Sequence, residues 1–467
     1  MTPFDPALGL KVRAARAIGW ASRRSGRGGG TTLPGRALLR LDPQAVTKLG
    51  RRLVRGSTIV SATNGKTTTA GMIAAMLRAD GRVPVHNRAG SNMAWGVATA
   101  LLEQEGDEGL FEVDEAWLPR MVRELGPRLL VLGNLFRDQL DRYGELERLA
   151  DEWAAIVTER EGRTGLVLNA DDPLIADLGR DGELRRRPDV TYFGIEDPAQ
   201  ALPALQHAHD AKHCRRCGAP YAYARAFVGH LGHYSCPNCG ADRPAPDVVA
   251  RSIELRGMRG ARFAVETPWG SAQVSLPLPG LYNVYNALAA LSAALRIGVP
   301  LDVAVGALAR VEAVFGRVET IPVGERSLSI LLIKNPAGAN EVLRTLALEA
   351  SGAGETGGGR LDLWLALNDR IADGRDVSWI WDADFETLTG SIRRATCAGT
   401  RAPEMALRLK YAGLPTERIV VREPIAESLD DALEAAGDRL FALPTYTALL
   451  ELRTLLADRG LAKEYWA

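Results

Sequence analysis

Two groups of residues in this 467-residue chain have types and spacings that can do chemistry. The first is Ala62-Thr-Asn-Gly-Lys-Thr-Thr-Thr69, which follows directly on the β-branched run Thr58-Ile-Val-Ser61 and leads into a helical pattern with Met72, Ala75 and Met76 on one face. Strand, glycine-bearing loop and helix start form the context in which backbone amides cradle phosphate oxygens. Gly65 allows close backbone approach, Lys66 is placed to reach the β- and γ-phosphates of a nucleotide, and Thr67 offers a hydroxyl to Mg2+. Val60 stands where the full phosphate-loop pattern has a further glycine. Lys66 is expected on an exposed loop without core contacts, so that its removal leaves the fold intact.

The second group is Cys214-x-x-Cys217 and Cys236-x-x-Cys239, with Gly218 and Gly240 following the pairs. Four thiolates at this spacing make a closed tetrahedral site suited to a structural Zn2+. Neither pair has the context of a redox dithiol. With four cysteines present, His213, His230 and His233 are read as surface or outer-layer residues and not as ligands. The fifth cysteine, Cys397, reads as a buried core thiol.

These groups need elements to hold them. Short apolar runs at Thr58–Ser61, Leu129–Leu132 and Leu166–Leu168 alternate with helical patterns at Met72–Leu77 and Trp153–Glu159, which predicts an α/β fold with a mostly parallel sheet. Residues 207–246 interrupt this rhythm and are read as a zinc-ribbon insertion. The rhythm resumes at Tyr282–Leu295, and new strands are expected at Ile330–Ile333, Leu363–Leu367 and Arg418–Val421. Gly352–Gly359 is read as a surface loop. The predicted organisation is a basic arm over 1–50, a central nucleotide-binding domain over 51–315 carrying the insertion, and a Rossmann-like α/β C-terminal domain over 316–467. Within the arm, residues 8–24 read as a basic amphipathic helix, Gly26–Gly30 as a break, and Pro43–Leu53 as a second helix.

Lys and Arg number 57, as do Asp and Glu, so no global charge points to nucleic acid. The arm is locally basic, which suits either contact with anionic lipid headgroups or simple solvation. No apolar run approaches the roughly 20 residues that span a bilayer, and basic residues break up the N-terminus where a signal peptide would be apolar. A cytoplasmic location is expected, peripheral to the membrane if the arm reaches it.

The loop resembles the Thr-Asn-Gly-Lys-Thr variant of Mur ligases and folylpolyglutamate synthetases, with Ala62 in place of their usual glycine. Further segments resemble Mur ligase motifs in the same order: Glu112–Glu115, where the family has a Mg2+-binding glutamate; Asn134–Gly144, with Gln139 replacing a histidine; Asn169–Pro173; Leu278–Asn286, near the adenine; and Phe315–Glu319, the hinge. Lys334–Asn340 and Asn368–Asp382 are similar to segments of the MurT family. The resemblance implies ATP on Thr63, Asn64, Gly65, Lys66, Thr67, Thr68, Asn283, Asn286 and Arg317, with Mg2+ on Thr67 and Glu112. It implies amidation of the α-carboxylate of D-glutamate in the stem peptide of lipid II, through an acyl phosphate.

Cys397 lacks a nucleophile turn, so ammonia would come from a partner, and the resemblance implies that this partner is a GatD-like glutamine amidotransferase. The resemblance also implies that an Asp of this chain completes the partner's Cys-His-Asp triad. Asp369, at a strand end, is the first candidate, with Asp373, Asp376 and Asp382 in reserve. The rivals are a stand-alone amino-acid ligase of Mur or folylpolyglutamate type, disfavoured by the four-cysteine insertion, and a non-catalytic ATP-switched scaffold.

Overall fold

The computed structural model describes residues 6–24, 32–87, 91–138, 146–207, 209–312, 318–352 and 359–462. The readings placed on Gly26–Gly30, Gln139, Phe315–Arg317 and most of Gly352–Gly359 lie outside the described residues; Arg317 and the expected boundary at 315/316 are among them.

The chain begins with helices α1 (Pro6–Arg24), α2 (Leu33–Leu41) and α3 (Ala45–Gly50). They are docked, not trailing. The Arg16 guanidinium donates to the Leu102 carbonyl at 2.9 and 2.7 Å, and Lys11 and Lys48 both pair with Asp42. Helix α2 went unread because Leu33-Pro-Gly has the composition of a break. Proline, however, is tolerated in a first helical turn, and Gly35 is required there by packing: a Cβ would lie 1.9 Å from the Trp95 carbonyl.

Next come β1 (Ser57–Ser61), helix α4 (Lys66–Ala79), β2 (Val85–His86), α5 (Ala94–Glu103), β3 (Gly109–Glu112), α6 (Leu118–Leu125), β4 (Leu129–Leu132), α7 (Leu146–Glu159), β5 (Gly165–Asn169), α8 (Pro173–Ala176) and β6 (Val190–Ile195). The insertion forms an antiparallel pair, β7 (Ala222–Val228) and β8 (Leu231–Ser235), and the chain returns through β9 (Val248–Leu255), β10 (Ala261–Thr267) and β11 (Gly270–Leu276). The resulting nine-stranded sheet has the order β11-β10-β9-β6-β5-β4-β1-β3-β2. It is parallel except for the β9-β10-β11 edge.

Alternation along the strands serves two cores. Val60, Val131 and Val167 face α4 and helix α9 (Leu281–Arg296), while Ile59, Leu130 and Leu166 face α5, α6 and α7. A sheet covered on both faces turns its strands into unbroken apolar runs, which is why β1, β4 and β5 were legible. β1 has β3 on one side and β4 on the other. Crevices open at the carboxyl ends of strands at such a switch point.

After α10 (Leu301–Leu308), the second sheet is built from β12 (Glu319–Val323), β13 (Arg326–Ile330), β14 (Leu361–Ala366), β15 (Ile392–Ala398), β16 (Ile419–Val421) and β17 (Arg439–Pro444), in the order β12-β13-β17-β14-β15-β16. Helices α11 (Pro336–Ala350), α12 (Ala402–Tyr411), α13 (Ile425–Ala435) and α14 (Tyr446–Asp458) cover it. The strand expected at Ile330–Ile333 ends where it was expected to begin. A tight turn at Gly324 (φ 62°) pairs Arg326–Ile330 with Glu319–Val323, and the Leu331 and Ile333 amides continue to the β17 carbonyls at 2.8 and 3.0 Å.

Candidate active site

β1 ends at Ser61 and α4 begins at Lys66, so the loop between them presents the amides of a helix N-terminus to the cleft. Gly65 caps the helix at φ +89°, and a Cβ there would sit 2.0 Å from Asn286 Oδ1. Only glycine meets both demands. Asn64 and Asn134 clasp each other: the Asn64 amide donates to Asn134 Oδ1 at 2.9 Å and Asn134 Nδ2 to the Asn64 carbonyl at 3.0 Å. From α9, Asn286 accepts from Thr69 Oγ1 at 3.3 Å and donates to Asn283 Oδ1 at 3.0 Å. Thr63 Oγ1 accepts from the Phe136 amide at 3.0 Å. Thr68 lines the same cleft.

Lys66 corrects its sequence reading. It is only 8% exposed, and its ammonium lies 2.8 Å from Glu115 Oε2, itself on a residue 5% exposed. Burial alone would lower the Lys66 ammonium, but the Glu115 carboxylate together with Asp114 and Glu112 more than compensates and the net shift is upward. Burial likewise opposes ionisation of Glu115, and Lys66 with Lys334 brings it down overall. The ion pair is therefore set in both partners. Beside it, Thr67 Oγ1 donates to Glu112 Oε1 at 2.9 Å. A hydroxyl and a carboxylate facing each other at the mouth of a phosphate loop are hard oxygen donors of the kind Mg2+ selects.

The second sheet reaches the loop. Lys334 Nζ donates to the Thr63 carbonyl at 3.2 Å and is paired with Asp138, while Asn335, the cap of α11, exchanges hydrogen bonds with the Asn64 side chain at 3.0 and 3.3 Å. The cleft between α9 and α11 is lined by apolar Phe136, Val228, Leu231 and Val342. Glu341 closes it, 1% exposed, with neither carboxylate oxygen in hydrogen-bond geometry with any donor of the described residues. Burial pushes its carboxyl up, an effect that Arg344 at 3.9 Å and the amides opening α9 offset only in part.

Asp369 lies just beyond β14 with its side chain 27% exposed, accepting from Thr400 Oγ1 and from Arg401 Nε, both at 2.8 Å. Thr400 and Arg401 hold its carboxyl below the usual range. The reserves differ. Asp373 is buried, accepting from the Thr447 amide at 2.7 Å and from the Thr447 hydroxyl at 2.5 Å, and burial raises its carboxyl. Asp376 is exposed and caps Ser378; Asp382 pairs with Arg137 at 3.3 Å.

The sulfur atoms of Cys214, Cys217, Cys236 and Cys239 all lie within 4.8 Å of one another, with three separations of 3.5 to 3.6 Å. A tetrahedral ion with bonds of about 2.3 Å places its sulfurs close to that far apart. Gly218 (φ +74°) and Gly240 (φ +72°) turn the two knuckles, their amides reaching back to Cys214 and Cys236 at 2.7 and 3.1 Å. No histidine joins the cluster. His230 is not a surface residue: it is fully buried, 3.3 Å from Asp172 and against Phe136. Cys397 is buried in β15, where burial raises its thiol to about 12.

The family model for the Mur ligase middle domain matches residues 60–294, and that for the MurT ligase C-terminal domain matches 332–449. The "Lipid II isoglutaminyl synthase (glutamine-hydrolyzing) subunit MurT" of Streptococcus pneumoniae strain R6 is 31% identical over 97% of this chain and 98% of its own length. The chain belongs to the MurT family. A Staphylococcus aureus strain N315 protein of the same description is 31% identical over 94% of this chain and 95% of its own. Among solved structures, a pseudomurein peptide ligase type C from Methanothermus fervidus superposes with a TM-score of 0.65 at 23% identity, covering 86% of this chain and 79% of that one. MurF from Acinetobacter baumannii gives 0.63 at 17%, covering 91% and 80%. At these identities the likeness is one of fold.

In this MurT-family chain, sequence reasoning missed Glu115, Lys334, Asn335 and Glu341 as residues of the cleft. Glu115 lay inside a segment already singled out, but only the turn after β3 aims it at Lys66. Lys334 and Asn335 lie 271 positions from the loop they touch, and no local signal spans that interval. The Asn169–Pro173 motif holds the fold near the loop: Asp171 accepts from Arg243 at 2.6 Å and Tyr285 at 2.7 Å, and Asp172 from the Leu135 amide at 2.9 Å.

Proposed function

We propose that this chain is the synthetase subunit of a lipid II isoglutaminyl synthase, amidating the α-carboxylate of D-glutamate in the stem peptide. The observation that carries the reading is the meeting of two halves at one cleft. Lys66, Thr67 and Glu112 of a phosphate loop face Lys334 and Asn335 from a C-terminal domain of MurT type. Thr63, Asn64, Gly65, Lys66, Thr67 and Thr68 bind the phosphates of ATP, with Asn283 and Asn286 on the nucleoside side. Thr67 and Glu112 hold Mg2+, which neutralises charge as the phosphoryl group moves.

A carboxylate oxygen of the substrate attacks the γ-phosphorus and ADP leaves. Ammonia then attacks the acyl carbon, loses a proton, and phosphate departs with the oxygen it received. Lys66 and Lys334 act by position and charge throughout. The four cysteines hold a structural Zn2+, with no open position for catalysis.

The ammonia comes from a GatD-like glutamine amidotransferase subunit, whose histidine Asp369 orients. Asp369 is favoured because it stands just beyond the end of β14 with its carboxylate partly exposed and oriented by Thr400 and Arg401, whereas Asp373 is buried against Thr447 and Asp376 and Asp382 lie farther along the chain from the strand end. The lipid-linked substrate places the reaction at the inner face of the cytoplasmic membrane. Reconstitution with that partner, lipid II, ATP and glutamine tests the reading. The expected product is lighter by the difference between a hydroxyl and an amino group. A product that has gained an amino acid, or ATP turnover with no change in the lipid, overturns it.

A further inference from the structure

Helix α1 has two faces, and among the described residues only one is covered. Its inward face seats Ala15, Gly19 and Ser22, all buried. A Cβ at Gly19 would lie 2.7 Å from Pro34 Cγ, and Arg16 ties the helix to the end of α5. The helix is thus held firmly against the domain while its other side stays open. That open side carries Leu10, Ala14, Ala17 and Ala21 in one helical stripe, with Leu10 72% exposed. Ile18 (41% exposed) borders the stripe on one side, and Trp20 (61%) with Arg13 and Arg24 on the other. A face meant only for water would not expose a tryptophan, an isoleucine and a leucine together.

The charge around the stripe has one sign. Along helix α1 the charged residues are Lys11, Arg13, Arg16, Arg23 and Arg24, with no Asp or Glu among them. The Arg24 guanidinium lies 5.6 Å from the Trp20 ring centre, a pairing that keeps the cation beside the amphipathic indole. No helix of the described residues is long and apolar enough to cross a membrane. An exposed apolar stripe with a tryptophan at its border and arginines alongside is the composition of a helix lying in the interface plane.

We propose that the outer face of helix α1 docks the protein on an anionic phospholipid surface, the apolar stripe entering the headgroup boundary and Arg13 and Arg24 meeting lipid phosphates. The proposal rests on the proposed function only in that a lipid-linked substrate gives such docking its purpose. Charge favours lipid over a protein partner, because a phospholipid surface matches a wholly cationic rim whatever the register of contact.

The test is sedimentation of the chain, with its glutaminase subunit, on phosphatidylcholine vesicles with and without phosphatidylglycerol and free of lipid II. Binding is expected on the anionic vesicles alone and weakens with salt. Arg13→Gln and Arg24→Gln should each weaken it roughly fivefold, and together roughly thirtyfold. Leu10→Ser with Trp20→Ser should weaken it further, while all variants retain amidation of a water-soluble stem peptide. Equal binding to neutral vesicles, no binding, variants that bind as the parent does, or loss of the glutaminase subunit from Leu10→Ser/Trp20→Ser each overturns the proposal. Because the vesicles hold no substrate, failure of the proposed reaction leaves this result unaffected.

Discussion

Lys66→Ala separates a buried ion pair from a loop lysine that only touches ligand. In the folded chain Lys66 Nζ lies 2.8 Å from Glu115 Oε2, and both residues are under a tenth exposed. Deleting one partner of a buried pair strands the other charge, at a cost of about 3–5 kcal/mol. Glu115 is also near Lys334, and the cleft admits water once the lysine chain is gone, so the cost falls to the bottom of that range or below it, about 2–3 kcal/mol. At roughly 2–4 °C per kcal/mol for a domain of this size, the nucleotide-free variant should melt about 4–12 °C below the parent. Lys66→Ala/Glu115→Gln should recover most of that loss, since no buried charge is then left unpaired. The assay is a thermal melt without nucleotide, beside ATP turnover, which both variants should lack. A single variant that melts within about 1 °C of the parent, or a double variant as unstable as the single, refutes the ion-pair argument.

Metal analysis of protein purified without chelator should give one Zn2+ per chain, and Cys217→Ser should raise hydrogen exchange across 207–246 while sparing the β1–α4 loop; absence of metal contradicts the four-thiolate site. Asp369→Asn should reduce glutamine-dependent amidation by roughly 10³-fold or more while high ammonium restores the rate; normal glutamine-dependent activity moves the role to one of Asp373, Asp376 and Asp382, and failure of ammonium to rescue assigns Asp369 to the synthetase site or the fold. His209, 7% exposed and edge-on to Tyr223 at 4.6 Å, has its imidazole lowered from 6.5 to about 4, chiefly by burial and then by His230. A depressed imidazole contributes stability that is full above 6.5 and disappears as pH falls towards 4, about 3 kcal/mol at most. His209→Asn should flatten the fall of melting temperature over that window; an unchanged slope would show that His209 is not the source.

Residues adjacent in sequence carried what could be read without a fold. The strand, loop and helix around Gly65 lie within one short stretch, and the two CxxC pairs with Gly218 and Gly240 meet local turn geometry, so spacing alone specified their shape. β1, β4 and β5 were legible because a sheet covered on both faces demands continuous apolar runs. Helix α2 was not, since Pro34 and Gly35 read locally as a break and become helical only against Trp95. β13 was misplaced because its hairpin with β12 is fixed by pairing partners, which apolarity does not encode. The burial of Lys66, the approach of Lys334 and Asn335 to the phosphate loop, the closed position of Glu341 and the docking of α1 on the domain were all decided by tertiary structure. Each depends on segments far apart in sequence being brought together. Helical and strand periodicity fix which face of an element is apolar, but which distant element covers that face follows only from packing both sheets against their helices at once.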